Sequence, residues 1–315
     1  MDVVGVGLNA TDTLVPLPHF PVSGEKVEIQ SVSVLPGGQV ASTMIACQKW
    51  GLQARYVGKI GDDSAGDLHK SEFEKAGVDA KLVTSPGCAS QQTIIMVDDV
   101  GERTVLWKRD EKIALRPEDL KREWITDARA LHLDGLDTQA AIIAATWARE
   151  AEIPVIADID NLYPGVEGLL ANVDYLIVSR DIPEQLSGNS NLGQALMEVA
   201  ERFGCKLTAA TLGSDGVLAW NRQDFCYAPA YRVDVVDTTG AGDIFHAGFI
   251  YGHLNEWPLS RTLDFACAAA ALNCTALGAR GGIHPLPDIE ALMGAESRYP
   301  VWSGMKDIRM LRQLS

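Results

Sequence analysis

Short apolar segments alternate with longer segments of helical periodicity along most of this 315-residue chain. Regular alternation of strand and helix predicts a parallel sheet with helices packed on its faces. The predicted strands are residues 3–6, 54–57, 130–133, 155–158, 175–178 and 207–211, and the predicted helices are residues 39–50, 66–76, 138–150 and 192–203. The region after Gly240 is predicted to be almost entirely helical. We therefore expect a single α/β domain over residues 1–315, a three-layer α/β/α, Rossmann-like fold with a mainly parallel central sheet.

Two segments interrupt this alternation. Residues 13–34 contain three prolines and then an alternation of period two over residues 27–33. Residues 91–109 contain two strand patterns around a turn at residues 98–101. These patterns indicate antiparallel strands outside the main sheet, and we expect them to form a small projecting sheet. Such a sheet could close over a ligand as a lid or could extend the fold without moving, and the pattern favours neither.

Composition excludes several classes of function. The chain has 27 Lys and Arg against 42 Asp and Glu, a formal net charge of −15, whereas general nucleic-acid binding needs a basic surface. The longest apolar run, residues 265–272, is far shorter than the roughly 20 residues that span a membrane. The six cysteines contain no Cys-x-x-Cys pair and do not indicate a disulfide scaffold in a chain of this length. With no signal peptide recognisable, we expect a cytoplasmic protein with neither nucleic-acid nor membrane partners.

The most informative motif is Asp-Thr-Thr-Gly-Ala-Gly-Asp at residues 237–243, directly before a predicted helix. Gly240 and Gly242 allow backbone amides to approach a ligand, and the helix N-terminus adds unpaired N–H groups and a positive dipole end. A transferring phosphoryl group would be stabilised there. Asp243 would repel phosphate but could accept a proton from an attacking hydroxyl group. The same string also fits an ordinary glycine-containing loop with an Asp at a helix N-terminus.

A second glycine pair, Gly37-Gly38, precedes another predicted helix. Gln39 and Ser42 are three residues apart, so they share one helix face and could both hydrogen-bond to a polyol. This motif carries little weight alone, because Gly-Gly is common in turns.

Residues 5–10, Gly-Val-Gly-Leu-Asn-Ala, have the spacing of a dinucleotide-binding loop. That interpretation requires a helix next, to meet the pyrophosphate, and Pro16 and Pro18 disfavour one. We therefore reject a nicotinamide or flavin site. Asp12 instead falls just past the carboxyl end of the first strand, where open α/β sheets bind ligands.

Together these motifs resemble the ribokinase-like, or PfkB-type, carbohydrate kinases. Residues 237–243 match the C-terminal signature of that family. The N-terminal signature matches residues 37–38, 58–63, 66 and 77–78. Residues 211–216 resemble the nucleotide-side loop of the family, and residues 101–104 resemble the turn and second strand of its lid. The two signatures lie about 200 residues apart in the family order, and the resemblance covers essentially the whole chain.

The resemblance implies ATP-dependent phosphorylation of a sugar hydroxyl group with Mg²⁺, and in many members a monovalent cation such as K⁺. It implies that the catalytic base is Asp243 and that the anion hole consists of Gly240, Ala241 and Gly242. The implied sugar-binding residues are Asp12, Gly38, Gln39 and Ser42. The implied nucleotide-side residues are Thr211, Gly213, Gly216, Asn273 and Cys274. The implied metal-site residues are Glu184, which would act on Mg²⁺ through water, and Asp237 and Thr239 for the monovalent cation.

The chain departs from the family pattern at two positions. Ser42 stands where the family usually has Asn, and Asp181 replaces the Asn of an Asn-x-x-Glu motif that ends at Glu184. Residues 233–246 and 271–275 look most like ketohexokinases and sulfofructose kinases, which implies a ketose or a related sugar. Ribose, 2-keto-3-deoxygluconate and nucleosides remain open, as does a sugar- or nucleotide-binding regulator without turnover. Lids of this family often pair, so the resemblance also implies a homodimer through the lid.

Overall fold

The computed structural model describes residues 1–29, 31–98, 103–295 and 297–311. The strands are β1 (Val3–Val6), β2 (Ala10–Pro16), β3 (Ser33–Gly37), β4 (Ala54–Gly61), β5 (Asp79–Ser85), β6 (Gln92–Val97), β7 (Arg103–Lys108), β8 (Ala130–Leu133), β9 (Val155–Ile159), β10 (Tyr175–Ser179), β11 (Leu207–Thr211), β12 (Val217–Trp220) and β13 (Phe225–Ala228). The α-helices are α1 (Gln39–Lys49), α2 (Ser64–Ala76), α3 (Thr138–Glu150), α4 (Val166–Leu170), α5 (Ile182–Ser187), α6 (Leu192–Phe203), α7 (Ala241–Leu254), α8 (Leu259–Asn273), α9 (Leu286–Gly294) and α10 (Met305–Leu311). Every strand and helix predicted for the main domain is present, with ends that differ by a few residues.

The central sheet has nine strands in the order β13-β12-β11-β10-β9-β8-β1-β4-β5. All pairs from β11 to β5 are parallel, and only β12 and β13 at one edge are antiparallel. Parallel neighbours need long crossover connections, and the chain supplies them mainly as helices. The predicted mainly parallel sheet is therefore confirmed.

Helices cover both faces of this sheet. Val3 and Val4 are adjacent in β1 and fully buried, but their side chains belong to different hydrophobic clusters because strand residues alternate between faces. The cluster of Val3 includes Phe249 of α7, and the cluster of Val4 includes Leu169 of α4. The three-layer prediction is confirmed.

A separate four-stranded sheet has the order β3-β2-β6-β7, and we call it the lid sheet. The predicted antiparallel pairing is correct for β2 with β3 and for β6 with β7, but it is wrong for β2 with β6, which are parallel. The reason is that β2 and β6 follow β1 and β5, two parallel strands that end at the same edge. Both strands therefore enter the lid sheet in the same direction. Residues 99–102 lie outside the described residues. They include most of the predicted turn at residues 98–101 and part of the segment 101–104 that resembles the lid of the family.

Residues 27–33 do not form the predicted strand. Among the described residues of this range, only Ser33 belongs to a strand. The segment lacks a surface that could bury one face: Ile29 is 41% exposed and Val32 is 53% exposed. Earlier in the same connection, a local turn forms where Glu25 accepts the N–H of Val22 at 3.0 Å. An alternating pattern alone therefore did not specify pairing here.

No helix within the described ranges combines the length and the apolar character needed to cross a membrane.

Candidate active site

The carboxyl edge of the main sheet collects the polar residues that follow its strands. Asp12 lies in β2, directly beyond β1, and Asp134 follows β8. Asp158 and Asp160 stand at the end of β9, and Thr211 ends β11. Parallel strands end at one edge, and open α/β sheets bind their ligands there. The sheet therefore brings together residues that are up to about 200 positions apart in the sequence.

Two helices begin at glycines beside this edge. Gly38 precedes α1 with a φ of 95°, and Gly240 precedes α7 with a φ of 76°, conformations that favour glycine. The hydroxyl oxygen of the buried Thr43 lies 2.9 Å from the carbonyl oxygen of Gln39 and 3.0 Å from that of Asp243. Thr43 therefore joins the first turns of the two helices and places the predicted sugar side beside the predicted anion hole.

The first turn of α7 faces a cavity. The N–H of Ala241 donates to the Thr238 carbonyl at 3.2 Å, whereas Gly242 is exposed and lines the cavity. N–H groups in the first turn lack acceptors within the helix, and the helix dipole adds positive potential. Arg103 of β7 donates to Thr238 Oγ1 at 2.7 Å, so the lid sheet touches the same loop.

Asp243 combines this helix N-terminus with a strongly acidic environment. Burial, and then the charges of Asp158, Asp160 and Asp12, raise the pKa of Asp243 to about 8. The positive charge of Arg103 acts in the opposite direction. A carboxyl group whose pKa lies near neutral pH is suited to accept and release a proton.

The two carboxylates at the end of β9, Asp158 and Asp160, were missed by the sequence analysis. Asp158 Oδ1 lies 3.2 Å from His246 Nε2, and Gln39 Nε2 donates to Asp158 Oδ2 at 3.4 Å. Burial raises the pKa of Asp158 to about 7 and that of Asp160 to about 6, and it lowers the pKa of His246. The signal that could have found them is an Asp-x-Asp pattern that begins at the last residue of a predicted strand, at the edge that binds ligands.

Asp12 is buried against the backbone of β3. A Cβ atom on Gly37 would lie 1.9 Å from Asp12 Oδ2, so the close approach requires glycine. Burial raises the pKa of Asp12 to about 6, while a hydrogen bond from Thr93 and the charge of Arg280 act to lower it. Asp12 itself belongs to β2 of the lid sheet, and its hydrogen bond with Thr93 joins it to β6.

Arg280 is a second residue that the sequence analysis missed. Its Nε donates to Ser42 Oγ at 3.1 Å, and its Nη2 donates to the Gly37 carbonyl at 2.7 Å. Within the described part of the chain its buried Nη1 has no partner, and burial lowers the pKa of Arg280 to about 10. Ser42, which replaces the usual Asn of the family, is fully buried and holds this guanidinium group. A single Arg in a glycine-rich string gave no pattern by which to assign it.

The cavity beside α7 has a volume of about 400 Å³, within the usual range of ligand pockets, about 300–1,000 Å³. Its lining includes four of the five residues predicted for the nucleotide side: Thr211, Gly213, Gly216 and Cys274. Gly242 of the predicted anion hole lines the same cavity. The fifth residue, Asn273, is fully buried behind the wall and is not part of the lining that the described residues form.

Asn273 belongs instead to a buried cluster with Asp237 and Thr239. Asp237 Oδ1 accepts the N–H of Thr239, and Asp237 Oδ2 accepts the N–H of Gly278, both at 2.8 Å. Asn273 Nδ2 donates to the carbonyl of Thr239 at 3.1 Å and to that of Ala279 at 3.3 Å. The predicted cation ligands therefore lie directly behind the start of α7, together with a residue predicted for a different role.

Glu184 is exposed on the first turn of α5, after β10. Ser179 at the end of β10 pairs with Thr211 at the end of β11, so α5 starts at the same edge as the cavity. The described residues contain no group of three or more His, Cys, Asp and Glu that could enclose a metal ion. Mg²⁺ keeps several waters and binds substrate phosphates, and a single exposed carboxylate fits a metal held mainly by a nucleotide.

Comparison with known proteins assigns this arrangement to a family. The model of the pfkB family carbohydrate kinases matches residues 3–285. An ATP-dependent ribose-1-phosphate kinase of Halopiger xanaduensis is 31% identical over 287 residues, covering 88% of this chain and 93% of its own. An aminoimidazole riboside kinase of Salmonella typhimurium is 31% identical over 276 residues, covering 80% and 86%. The crystal structure of a ribokinase from Thermotoga maritima superposes with a TM-score of 0.78 at 25% identity, covering 93% of this chain and 99% of that one.

Proposed function

This chain belongs to the pfkB family of carbohydrate kinases, and we propose that it transfers the γ-phosphoryl group of ATP to a hydroxyl group of a ketose or a related sugar. The observation that carries this proposal is the position of Asp243. It stands on the first turn of α7 next to Gly242, which lines the cavity, and within the field of the buried carboxylates Asp12 and Asp158. This position supports a role for Asp243 as the proton acceptor between the cavity and the proposed sugar side.

In the proposed mechanism, each residue of the site has a distinct role. ATP occupies the cavity, and the sugar lies between Asp12 and Gln39 below the lid sheet. Asp243 accepts the proton of the attacking hydroxyl group while the phosphoryl group transfers in line. The amide of Gly242 and the dipole of α7 stabilise the charge on the transferring oxygens, and contact of the lid sheet with Thr238 through Arg103 helps to exclude water. Mg²⁺ bound to ATP supplies further charge neutralisation, and Glu184 would hold it through water.

The sugar side consists mainly of hydrogen-bond acceptors. Burial raises the pKa values of Asp12 and Asp158, and desolvation together with the charge of Asp158 raises that of Asp160. Carboxylates accept hydrogen bonds from hydroxyl groups without needing a counter-charge on the substrate. This supports a neutral polyhydroxylated acceptor. The ketose preference rests on the resemblance of residues 233–246 and 271–275 to ketohexokinases and sulfofructose kinases.

A sugar phosphate is the second candidate. Arg280 lies beside Ser42 and has one buried nitrogen without a partner among the residues described, and guanidinium groups bind phosphate well. The relative from Halopiger xanaduensis is named for ribose 1-phosphate. The charge balance supports the neutral acceptor, because Asp12, Asp158 and Asp160 outnumber Arg280 on the proposed sugar side.

The proposal is tested by ADP release with ATP and Mg²⁺ against fructose, tagatose, sulfofructose, ribose, ribose 1-phosphate, 2-keto-3-deoxygluconate and adenosine. We expect a neutral ketose to give the highest kcat/KM. Turnover restricted to ribose 1-phosphate, with loss of that turnover in Arg280→Gln, would select the second candidate. Binding of ATP and sugar without ADP release from any acceptor would indicate a regulator and would overturn the kinase assignment.

We further propose a homodimer formed through the lid sheet. All six residues of β7 are exposed. Val105, 44% exposed, and Trp107, 64% exposed, lie on one face of the strand because strand side chains alternate, and neighbouring exposed apolar side chains mark an interaction surface. We expect Trp107→Glu to convert a dimer into a monomer in sedimentation velocity. Val301, 60% exposed outside the lid sheet, supplies the matched control, and Val301→Glu should leave the dimer intact. A monomeric wild-type protein would contradict this proposal.

A further inference from the structure

The buried cluster behind the anion-hole loop is occupied by the chain itself. The resemblance to the family implies a monovalent cation at Asp237 and Thr239. K⁺ is bound by oxygen atoms such as those of backbone carbonyls, which replace its hydration shell, so the decisive question is whether the oxygens of Asp237 and Thr239 are available. In this chain, hydrogen bonds from its own N–H groups engage them.

Both carboxylate oxygens of Asp237 accept hydrogen bonds from the backbone. The residue is fully buried, and its two oxygens accept the N–H groups of Thr239 and Gly278, each at 2.8 Å. A carboxylate that accepts charge-assisted hydrogen bonds from backbone amides is already stabilised. It gains less from a cation than an unpaired buried carboxylate would.

The carbonyl groups are engaged by the side-chain amide of Asn273. An amide nitrogen has two N–H groups, and both are used, one on the Thr239 carbonyl and one on the Ala279 carbonyl. Turning the amide over would place its oxygen against two carbonyl oxygens, which is electrostatically unfavourable. The nitrogen of Asn273 therefore lies between these two carbonyls and engages the carbonyl of Thr239, one of the two residues at which the resemblance implies the cation.

We propose that the Asn273 amide replaces the monovalent cation in this protein, so that neither its stability nor its catalysis requires K⁺. Asn273 is then a positioning residue. It ties the Thr239 carbonyl, one residue before Gly240, to the Ala279 carbonyl, and a Cβ atom on Gly240 would lie only 2.4 Å from that same carbonyl oxygen. Loss of the tie would loosen the loop that leads into α7.

A rival arrangement uses other oxygens of the same residues. Asn273 Oδ1 and Thr239 Oγ1 are buried and have no partner in the described part of the chain. A cation seated on these two atoms would make Asn273 a ligand rather than a substitute. The two arrangements predict opposite responses to K⁺.

The experiment measures the thermal unfolding temperature of the full chain in KCl and in choline chloride at equal ionic strength, without ATP or sugar. We expect the wild-type protein to give equal values in the two salts. Asn273→Ala, which leaves two buried carbonyls without a donor, should unfold on the order of 5 °C lower in choline and should recover part of that loss in KCl. Because no substrate is present, this result is independent of the proposed function.

Asn9 supplies a matched control, since it is also buried and donates through Nδ2 to two acceptors, Tyr56 Oη and the Lys59 carbonyl. Asn9→Ala should lower the unfolding temperature equally in both salts. If K⁺ stabilises the wild-type protein and Asn273→Ala abolishes that effect, Asn273 is a ligand and the proposal is overturned. A variant that is destabilised but indifferent to K⁺ also overturns it. Should Asn273→Ala fail to fold, the wild-type comparison and Asn273→Ser still decide, and the wild-type kcat, which rests on the proposed function, should not change with K⁺.

Discussion

Asp243→Asn should lower kcat by about 10²–10⁴-fold, the usual contribution of a general base, while the protein stays folded. The amide keeps the size of the side chain but cannot accept the proton of the attacking hydroxyl group. The anion hole and the cavity are unchanged by this substitution, so the apparent affinity for ATP should persist. Steady-state ADP release and ATP titration by calorimetry measure the two effects separately.

Asp160→Asn is the matched control for this substitution. It removes a neighbouring carboxylate whose charge raises the pKa of Asp243 but leaves the base in place. Its rate–pH profile should shift to lower pH, without the large fall in maximal kcat. If Asp243→Asn instead retained a kcat within tenfold of the wild-type value, another group would have to be the base.

Asp243→Asn should also change the pH dependence of the protein's stability. Folding raises the pKa of Asp243 from its ordinary value of 3.8 to about 8, so its contribution to stability is complete below pH 3.8 and is lost as the pH rises through about 8. Asp243→Asn removes this loss. The unfolding temperature of the variant should therefore exceed that of the wild-type protein by a margin that grows between those two pH values. Over the same range, wild-type kcat/KM should rise as the base ionises.

The parts of the site that the sequence predicted are those that short-range structure determines. A glycine pair before a helix gives a helix N-terminus with unpaired N–H groups wherever it occurs, and residues 237–243 and 37–38 each satisfy this rule. Asp12 could be located because it lies a few residues beyond β1, a strand of the main sheet. Thr211 could be located for the same reason, since it ends one.

The contacts that the sequence could not predict join distant segments through side chains with no local pattern. Arg280 meets Ser42 across 238 positions, and Asn273 meets Thr239 across 34. Nothing in the spacing around Asn273 separates a residue that lines a cavity from one that lies behind its wall. Thr43, which joins α1 to α7, is likewise an ordinary helix residue in the sequence.

The prediction of antiparallel pairing throughout the lid sheet failed for a related reason. Alternation of apolar and polar residues specifies that a segment is a strand but not the direction of its neighbour. That direction follows from where the chain leaves the main sheet, and β2 and β6 leave it from parallel strands at one edge. The described residues of the range 27–32 show the converse failure, since they alternate in sequence but belong to no strand.

The two glycines of the anion hole should respond in opposite ways to the same substitution. Gly240 has a φ of 76°, and a Cβ atom there would lie 2.4 Å from the backbone oxygen of Ala279. A backbone atom cannot move aside as a flexible side chain can, so Gly240→Ala should destabilise the fold and lower the unfolding temperature. Its activity should fall with the folded fraction and with displacement of the loop.

Gly242→Ala should do the reverse. A Cβ atom there meets nothing within 4 Å, and alanine is favoured over glycine within a helix by about 0.5–1 kcal/mol, so the unfolding temperature should stay equal or rise. In the proposed mechanism the new methyl group projects to the place of the transferring phosphoryl group, and a displacement of about 1 Å there costs on the order of 10²-fold in rate. A stable Gly242→Ala protein with wild-type kcat/KM would show that the phosphoryl group does not pass beside this amide. A stable, inactive one, set against the unstable Gly240→Ala, would separate the glycine that the backbone requires from the glycine that the ligand requires.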